Sequence, residues 1–314
     1  NGGFYSFTVH DGNNDLVYQS GYQVLDGSPN GIPNVFEAHP NFNDGACPQS
    51  NNCVGDECVT VPPVCESGCG GDPHFKTWAG QWYDFHGSCD LVLAEVPNLD
   101  LLVHIRTKIR YEYSYVEQVA VKVGDDVFEF GSWGFYLLNG IVSAQMPNKI
   151  GDYLVSYTVQ NEKEHVFTID LPEDASIQIK SFKDMVSIKF LGATEKYFEG
   201  SSGLMGSFRV GDKVARNGTI LDDPTAFGHE WQVQEGEPKL FEVKDRYPQH
   251  PATCVMPKLD EKTKESRGRR LGEASVLRAA AEKACSNWPE DEQDHCVFDV
   301  LATGDLELAE AGAF

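Results

Sequence analysis

LVHIRTKIR, residues 102–110, decides the class of the fold. Val103, Ile105, Thr107 and Ile109 alternate with His104, Arg106, Lys108 and Arg110, the period-two pattern of a half-buried strand with a charged outer face. The segments that follow repeat the theme. Val119-Ala120-Val121-Lys122-Val123 ends at Gly124-Asp125-Asp126, and Val127-Phe128-Glu129-Phe130 resumes beyond it, which reads as a hairpin. Leu137-Leu138-Asn139-Gly140-Ile141-Val142 places Asn-Gly between apolar pairs, the strongest short hairpin signal. Tyr153–Val159, His165–Leu171, Ser176–Phe182 and Val186–Leu191 continue the series. Short strands at even spacing, separated by turn residues, predict a mainly β protein, an antiparallel sandwich or barrel.

On either side the character of the chain changes. Residues 1–46 carry short strand patterns (Phe4–Val9, Leu16–Tyr18, Tyr22–Leu25) around the turn Asp11-Gly12-Asn13-Asn14, and read as a partial β module. Residues 47–70 form a connector rich in Asn, Gly, Pro and Ser, with Cys47, Cys53, Cys58, Cys65 and Cys69. So little apolar content cannot build a core, so cross-links would hold it. No C-x-x-C occurs there, which argues against structural zinc. Residues 258–314 read as an acidic helical subdomain. Leu271, Ala274, Leu277, Ala281 and Ala284 share one helical face, and Val297, Val300 and Leu301 would face it from a second helix starting near Trp288-Pro289-Glu290-Asp291. Cys285 and Cys296 flank the turn within bridging reach of an antiparallel helix pair. Ser286 to Phe314 contains no Lys or Arg.

Composition excludes whole classes of partner. The 314 residues carry a formal charge of -23, from 25 basic and 48 acidic side chains. Nucleic acid and anionic membrane both require a basic surface, so neither is expected as a partner. Hydrophobic content of 41% is that of a globular chain, and no apolar run has the length of a membrane span. The start at Asn1, with neither Met nor signal peptide, reads as a processed piece of a longer secreted product. The sequon Asn217-Gly218-Thr219 agrees with a secretory route and makes Asn217 a glycosylation candidate. Nine cysteines leave at least one unpaired within the chain if the others form disulfides.

Two motifs carry a family resemblance. Cys69-Gly70-Gly71-Asp72-Pro73-His74-Phe75-Lys76-Thr77-Trp78, with Gly80, Tyr83-Asp84-Phe85 and Gly87-Ser88-Cys89-Asp90-Leu91-Val92-Leu93, resembles the opening of a von Willebrand factor type D domain. Gly203-Leu204-Met205-Gly206-Ser207-Phe208 and Phe227-Gly228-His229-Glu230-Trp231-Gln232-Val233 resemble its closing signatures, G-L-C-G-N-F and F-G-x-S-W-x-V. The resemblance covers roughly residues 65–257, with the domain proper at 71–257. The wording of the motifs and the helical tail looks closest to secreted cell-surface proteins of algae. It implies an antiparallel β-sandwich of the type D kind, to which the residue patterns add a small C-terminal α-helical subdomain and a disulfide-rich N-terminal connector. It also implies a Cys89–Cys254 bridge, which chain-entropy models credit with roughly 4–5 kcal/mol. The cysteine of G-L-C-G is Met205 here, so the bridge that the family makes to Cys65 or Cys69 cannot form. One of those two would pair within the connector, pair with another chain, or stay free. The positions that hold calcium in the family read Ala79, Ser207 and Arg209, so loss of that site is expected. Asp212, Asn217, Asp222 and Asp223 are candidates to rebuild one nearby, although turn and surface roles suit them better.

Chemistry concentrates at Gly71-Asp72-Pro73-His74. In some members of the family, such as gel-forming mucins, this motif cleaves itself. Asp72 would attack its own carbonyl, the Pro73 nitrogen would leave, and His74 would donate the proton. The expectation is an intact turn that shapes the domain start. Asp72, His74, Asp84 and His86 can also be read as metal ligands, with core and surface roles preferred. No G-x-S-x-G elbow precedes a helix, and Gly200-Ser201-Ser202-Gly203 lacks the Lys and helix of a phosphate cradle. Arg267-Gly268-Arg269-Arg270 resembles a convertase site within a helical pattern that favours an intact exposed face. The expected role is therefore structural and not enzymatic, without a required cofactor. It lies in extracellular assembly, adhesion or matrix formation, and the partners are other extracellular proteins or copies of the chain. The alternatives are a glycan- or protein-binding module and a self-processing unit at Asp72-Pro73.

Overall fold

A computed structural model describes residues 3–10, 16–24, 51–54, 57–60, 65–71, 73–110, 113–208, 210–241, 253–257 and 271–311. Cys47, Asp72, Arg209 and Arg267-Gly268-Arg269-Arg270 lie outside the described residues. The chain divides into two compact units, Asn1–Asp44 and Gly45–Phe314. The first holds an antiparallel hairpin of β1 (Gly3–His10) and β2 (Leu16–Val24).

The second unit begins with a small hairpin, β3 (Asn51–Val54) and β4 (Glu57–Thr60), in which Cys53 and Cys58 stand opposite each other. Next come β5 (Cys65–Gly70), β6 (His74–Lys76) and β7 (Trp82–Asp84). The chain then meanders through β8 (Asp90–Val96), β9 (Leu101–Arg110), β10 (Tyr113–Val123), β11 (Asp126–Gly131), β12 (Tyr136–Leu138) and β13 (Ile141–Val142), which form a six-stranded antiparallel sheet in that order. The strands β14 (Asn148–Ile150), β15 (Tyr153–Asn161), β16 (Glu164–Asp170), β17 (Ser176–Phe182) and β18 (Met185–Ala193) complete the other sheet, ordered β14-β15-β16-β17-β18-β5-β6-β7. This sheet takes in Cys65–Gly70, so the last six residues of the cysteine-rich stretch are a central strand paired with β18 and β6. The Asn139-Gly140 turn joins β12 to β13 with both residues at positive φ, as a two-residue hairpin of that type requires.

One core fills the space between the sheets. Phe167 of β16 meets Phe128 and Phe130 of β11 at ring separations of 5.2 and 4.9 Å, and Ile177, Ile179, Ile188 and Phe190 face it from β17 and β18. The protein is mainly β, an antiparallel sandwich with few helices. No helix among the described residues is long and apolar enough to cross a membrane.

The chain beyond β18 closes the free edge of β8. Ser202 and Leu204 bond to Glu95 and Val92, Trp231 and Val233 to Val92 and Asp90, and Val255 to Ser88. These contacts use the backbone groups that an open edge would offer to another chain. Gly203 makes the approach possible. Its φ is +119°, and a Cβ there would sit 2.5 Å from the Leu93 carbonyl oxygen. The helices α1 (Glu195–Phe198) and α2 (Pro224–Glu230) lie in this return segment. It is pinned by a Cys89–Cys254 disulfide across 165 residues, a closure that chain-entropy models value at about 5 kcal/mol.

The alternation in residues 102–110 predicts a charged outer face on β9, and here the structure departs from it. His104 and Arg106 are buried, because the return segment covers that face. Asp90 grips the Arg106 guanidinium at 2.7 and 2.8 Å, and the Phe241 ring lies 4.4 Å from it. Neither ring nitrogen of His104 has a hydrogen-bond partner among the described residues. Desolvation holds its imidazole down to about 4, and the Asp90 charge, which opposes this, is too weak to reverse it.

The helical end packs on the sandwich through its own small core. In it, α3 (Leu271–Cys285) and α4 (Gln293–Thr303) are joined by a Cys285–Cys296 disulfide. Ala281, Val297, Val300 and Leu308 close around Phe182 of β17. The expected start of the second helix near Pro289 falls too early. Residues 286–292 form a turn whose Asp291 reaches Lys76 at 2.9 Å, and α4 begins only at Gln293.

Burial of neutral His104 gives a testable pH dependence. The folded state binds fewer protons than the unfolded state between about pH 4 and 6.5, so its contribution, on the order of 3 kcal/mol, is complete above 6.5 and lost as pH falls toward 4. Urea unfolding across that range should show stability falling with acid. His104→Leu should flatten the slope by up to about 1.4 kcal/mol per pH unit. An unchanged slope would contradict the assignment.

Candidate functional site

The β6–β7 hairpin places two side chains together by register alone. His74 stands opposite Asp84 and Phe75 opposite Tyr83. Alternation then sends Phe75 and Tyr83 into the core, where their rings stack at 5.1 Å, and puts His74, Lys76, Trp82 and Asp84 on the other face. The His74 Nδ1 to Asp84 Oδ1 distance is 2.7 Å, with His74 buried and Asp84 about half exposed. The ionised carboxylate accepts only, which assigns the proton of this contact to Nδ1.

α4 lays a third group on that pair. His295, Phe298 and Asp299 share a helix face at spacings of three and four. The His295 ring centroid is 4.1 Å from that of His74 and 4.4 Å from that of Trp82. Asp299 Oδ1 lies 3.9 Å from His74 Nε2, and Phe298 packs against His74 and Tyr113. Gly71 admits this helix: its φ is +58°, and a Cβ there would meet Asp299 Oδ2 at 2.4 Å. A cavity of about 50 Å³ opens beside the cluster, lined in part by Gly71, His74, Trp82, His295 and Asp299.

His74, Asp84 and His295 each offer one ligand atom, and these atoms lie within 4.8 Å of one another. Burial pushes the Asp84 carboxyl up, but the His74 hydrogen bond and the charges of His74, His86 and His295 outweigh it and leave it below its ordinary range. Desolvation, reinforced by His74, holds His295 down to about 4 against the pull of Asp84, Asp294 and Asp291. At neutral pH the site therefore holds an Asp84 carboxylate and a neutral His295 imidazole beside His74, oxygen and nitrogen donors of the kind that bind divalent cations.

Of the residues singled out in the sequence, His74 and Asp84 meet here, whereas His86 packs instead beside Tyr113. Pro73 is buried next to them. His295 is the residue that sequence reading missed. It lies more than two hundred positions away, and only the docking of α4 brings it in. Its spacing to Asp299 on one helix face was the available signal. The calcium candidates behave differently. Asp223 caps α2, accepting from the Thr225 and Ala226 amides at 3.2 and 3.1 Å, and Asn217 accepts from the Thr219 amide at 2.9 Å within an exposed turn. Asp212 and Asp222 join no group of three ligand side chains among the described residues. Ala79 is buried, and Ser207 binds the Asp212 carbonyl through its backbone. The sequon residue Asn217 is exposed. Cys69 is a free thiol, fully buried, and burial raises it well above its ordinary range. Met205 is buried in the same core.

No protein-family model matches the chain. The chain is similar to Mucin-5B of Gallus gallus, 25% identical over 210 residues. That alignment takes in 63% of the chain and 9% of the mucin, so the chain spans a small part of its relative's length.

Gly71→Ala tests how the helix is seated. A Cβ adds both left-handed strain, roughly 1–2 kcal/mol, and a collision with Asp299. Thermal unfolding should shift down, and amide exchange should rise across residues 293–303. A variant with wild-type exchange in α4 would show that the contact does not seat the helix.

Proposed function

We propose that this chain is a structural unit of an extracellular assembly, built on a domain of the von Willebrand factor type D kind. The observation that carries the reading is the similarity to a mucin over most of the chain, joined to the way the motifs meet in space. The Tyr83 hydroxyl donates to the Leu204 carbonyl, the Trp78 amide donates to the Met205 carbonyl at 3.0 Å, and Tyr83 packs on Phe227 at 5.7 Å. Residues of the opening and both closing signatures thus support one another, which fits motifs that serve the fold.

Secretion and a cell-surface or matrix location fit the Cys89–Cys254 and Cys285–Cys296 disulfides and the exposed Asn217 sequon. The chain has no enzymatic role in this reading, and its partners are copies of itself or other extracellular proteins. Asp72-Pro73 stays uncut, with His74 held by Asp84.

Native mass spectrometry and electron microscopy of the purified chain, without reductant, test the proposal. Oligomers or filaments of uncut chain are expected. A monomer at tens of micromolar that binds a glycan array would overturn it in favour of a binding module, and a fragment beginning at Pro73 would overturn it in favour of self-processing.

A further inference from the structure

We propose that His74, Asp84 and His295 form a binding site for a borderline divalent transition-metal ion, which clamps α4 to the β6–β7 hairpin. Three donors of the right type converge from two elements far apart in sequence, with their ligand atoms inside 4.8 Å. Tetrahedral zinc at about 2.0–2.1 Å from each ligand needs donors roughly 3.3 Å apart. The widest pair must therefore close by up to about 1.5 Å, whereas the His74 Nδ1–Asp84 Oδ1 contact at 2.7 Å must open, its proton released to solvent as the ion takes its place. The half-buried His295 ring and the half-exposed Asp84 carboxylate can supply that movement. Asp84 opens to solvent, which provides an entry path. Two imidazoles select zinc, copper or nickel over calcium and magnesium, which prefer all-oxygen shells. Asp299, 3.9 Å from His74 Nε2, stands at the margin of the cluster as a further carboxylate.

The site differs from the calcium positions at Ala79, Ser207 and Arg209, and from the Asp212–Asp223 loop. Its consequence is mechanical. A metal ion held by residues of the sheet and of α4 ties the helical end to the sandwich, a bond that apolar packing and exposed ion pairs alone do not supply. The clamp acts within each chain by itself, and so is independent of the proposed assembly role.

Zinc chloride titrated calorimetrically into the full chain, with disulfides intact, tests it. One ion per chain is expected, together with a higher Tm and slower amide exchange across residues 293–303. His295→Ala should lower the affinity at least about tenfold and abolish the zinc-dependent rise in Tm. Asp84→Asn, on the exposed side of the cluster, serves as the second variant if the first does not fold, and the same loss is expected. Absence of binding at millimolar zinc would overturn the proposal. Binding of equal strength in both variants would do the same, since the ion would then sit elsewhere.

Discussion

The eight-stranded sheet carries lysines on its outer face and in its hairpin turns, and the acidic helical end lies against them. The position of α4, the cluster at His74 and the cavity beside it all depend on that contact. Lys76 reaches Asp291 at 2.9 Å, Lys163 reaches Glu307 at 2.8 Å, and Lys183 reaches Asp305 at 2.6 Å and Glu307 at 2.5 Å. The Lys163 and Lys183 ammonium groups bond Glu307 and hold its carboxyl down to about 2. Individually such exposed pairs, screened by solvent, contribute little to stability. The attraction itself comes from apolar burial around Phe182, Val297, Val300 and Leu308. The ion pairs flank α4, with Asp291 before it and Asp305 and Glu307 beyond it, and so favour the orientation in which His295 faces His74.

This contact also accounts for some of the charge of the chain. The stretch from Ser286 onward has no Lys or Arg, so its carboxylates have no lysine or arginine counter-ion within it. The sheet supplies them. Some of the acid excess is thus the acidic side of an intramolecular interface, and a calcium-binding surface is not needed to explain it.

The sandwich was legible in the sequence because its signals are local. Alternation in 102–110, the Asn139-Gly140 turn and the even spacing of strands each depend on a few neighbouring residues, and the observed hairpins follow them. Burial of His104 and Arg106 was not legible, because the cover comes from Phe241 and other residues of the return segment more than a hundred positions on. The start of α4 escapes local reading for a similar reason: Asp291, which reads as a first-turn acid, is taken by Lys76. The site was half legible. Cross-strand register explains the meeting of His74 and Asp84, whereas His295 arrives through a tertiary contact that no local pattern encodes. The odd cysteine belongs to β5. Cys69 is sealed in the core, so a bridge between chains would have to come from the other entrance cysteines, and their even number does not require one.

Zero-length carbodiimide cross-linking of the dilute chain, followed by peptide mass spectrometry, tests the docking of the helical end most directly. Cross-links within one chain between Lys76 and Asp291, and between Lys183 and Asp305 or Glu307, are the predicted result. If the sheet lysines form no cross-links to residues 291–307, or form them only between chains, the helical end is not seated on the sheet. The account of the His74 cluster would then fail with it.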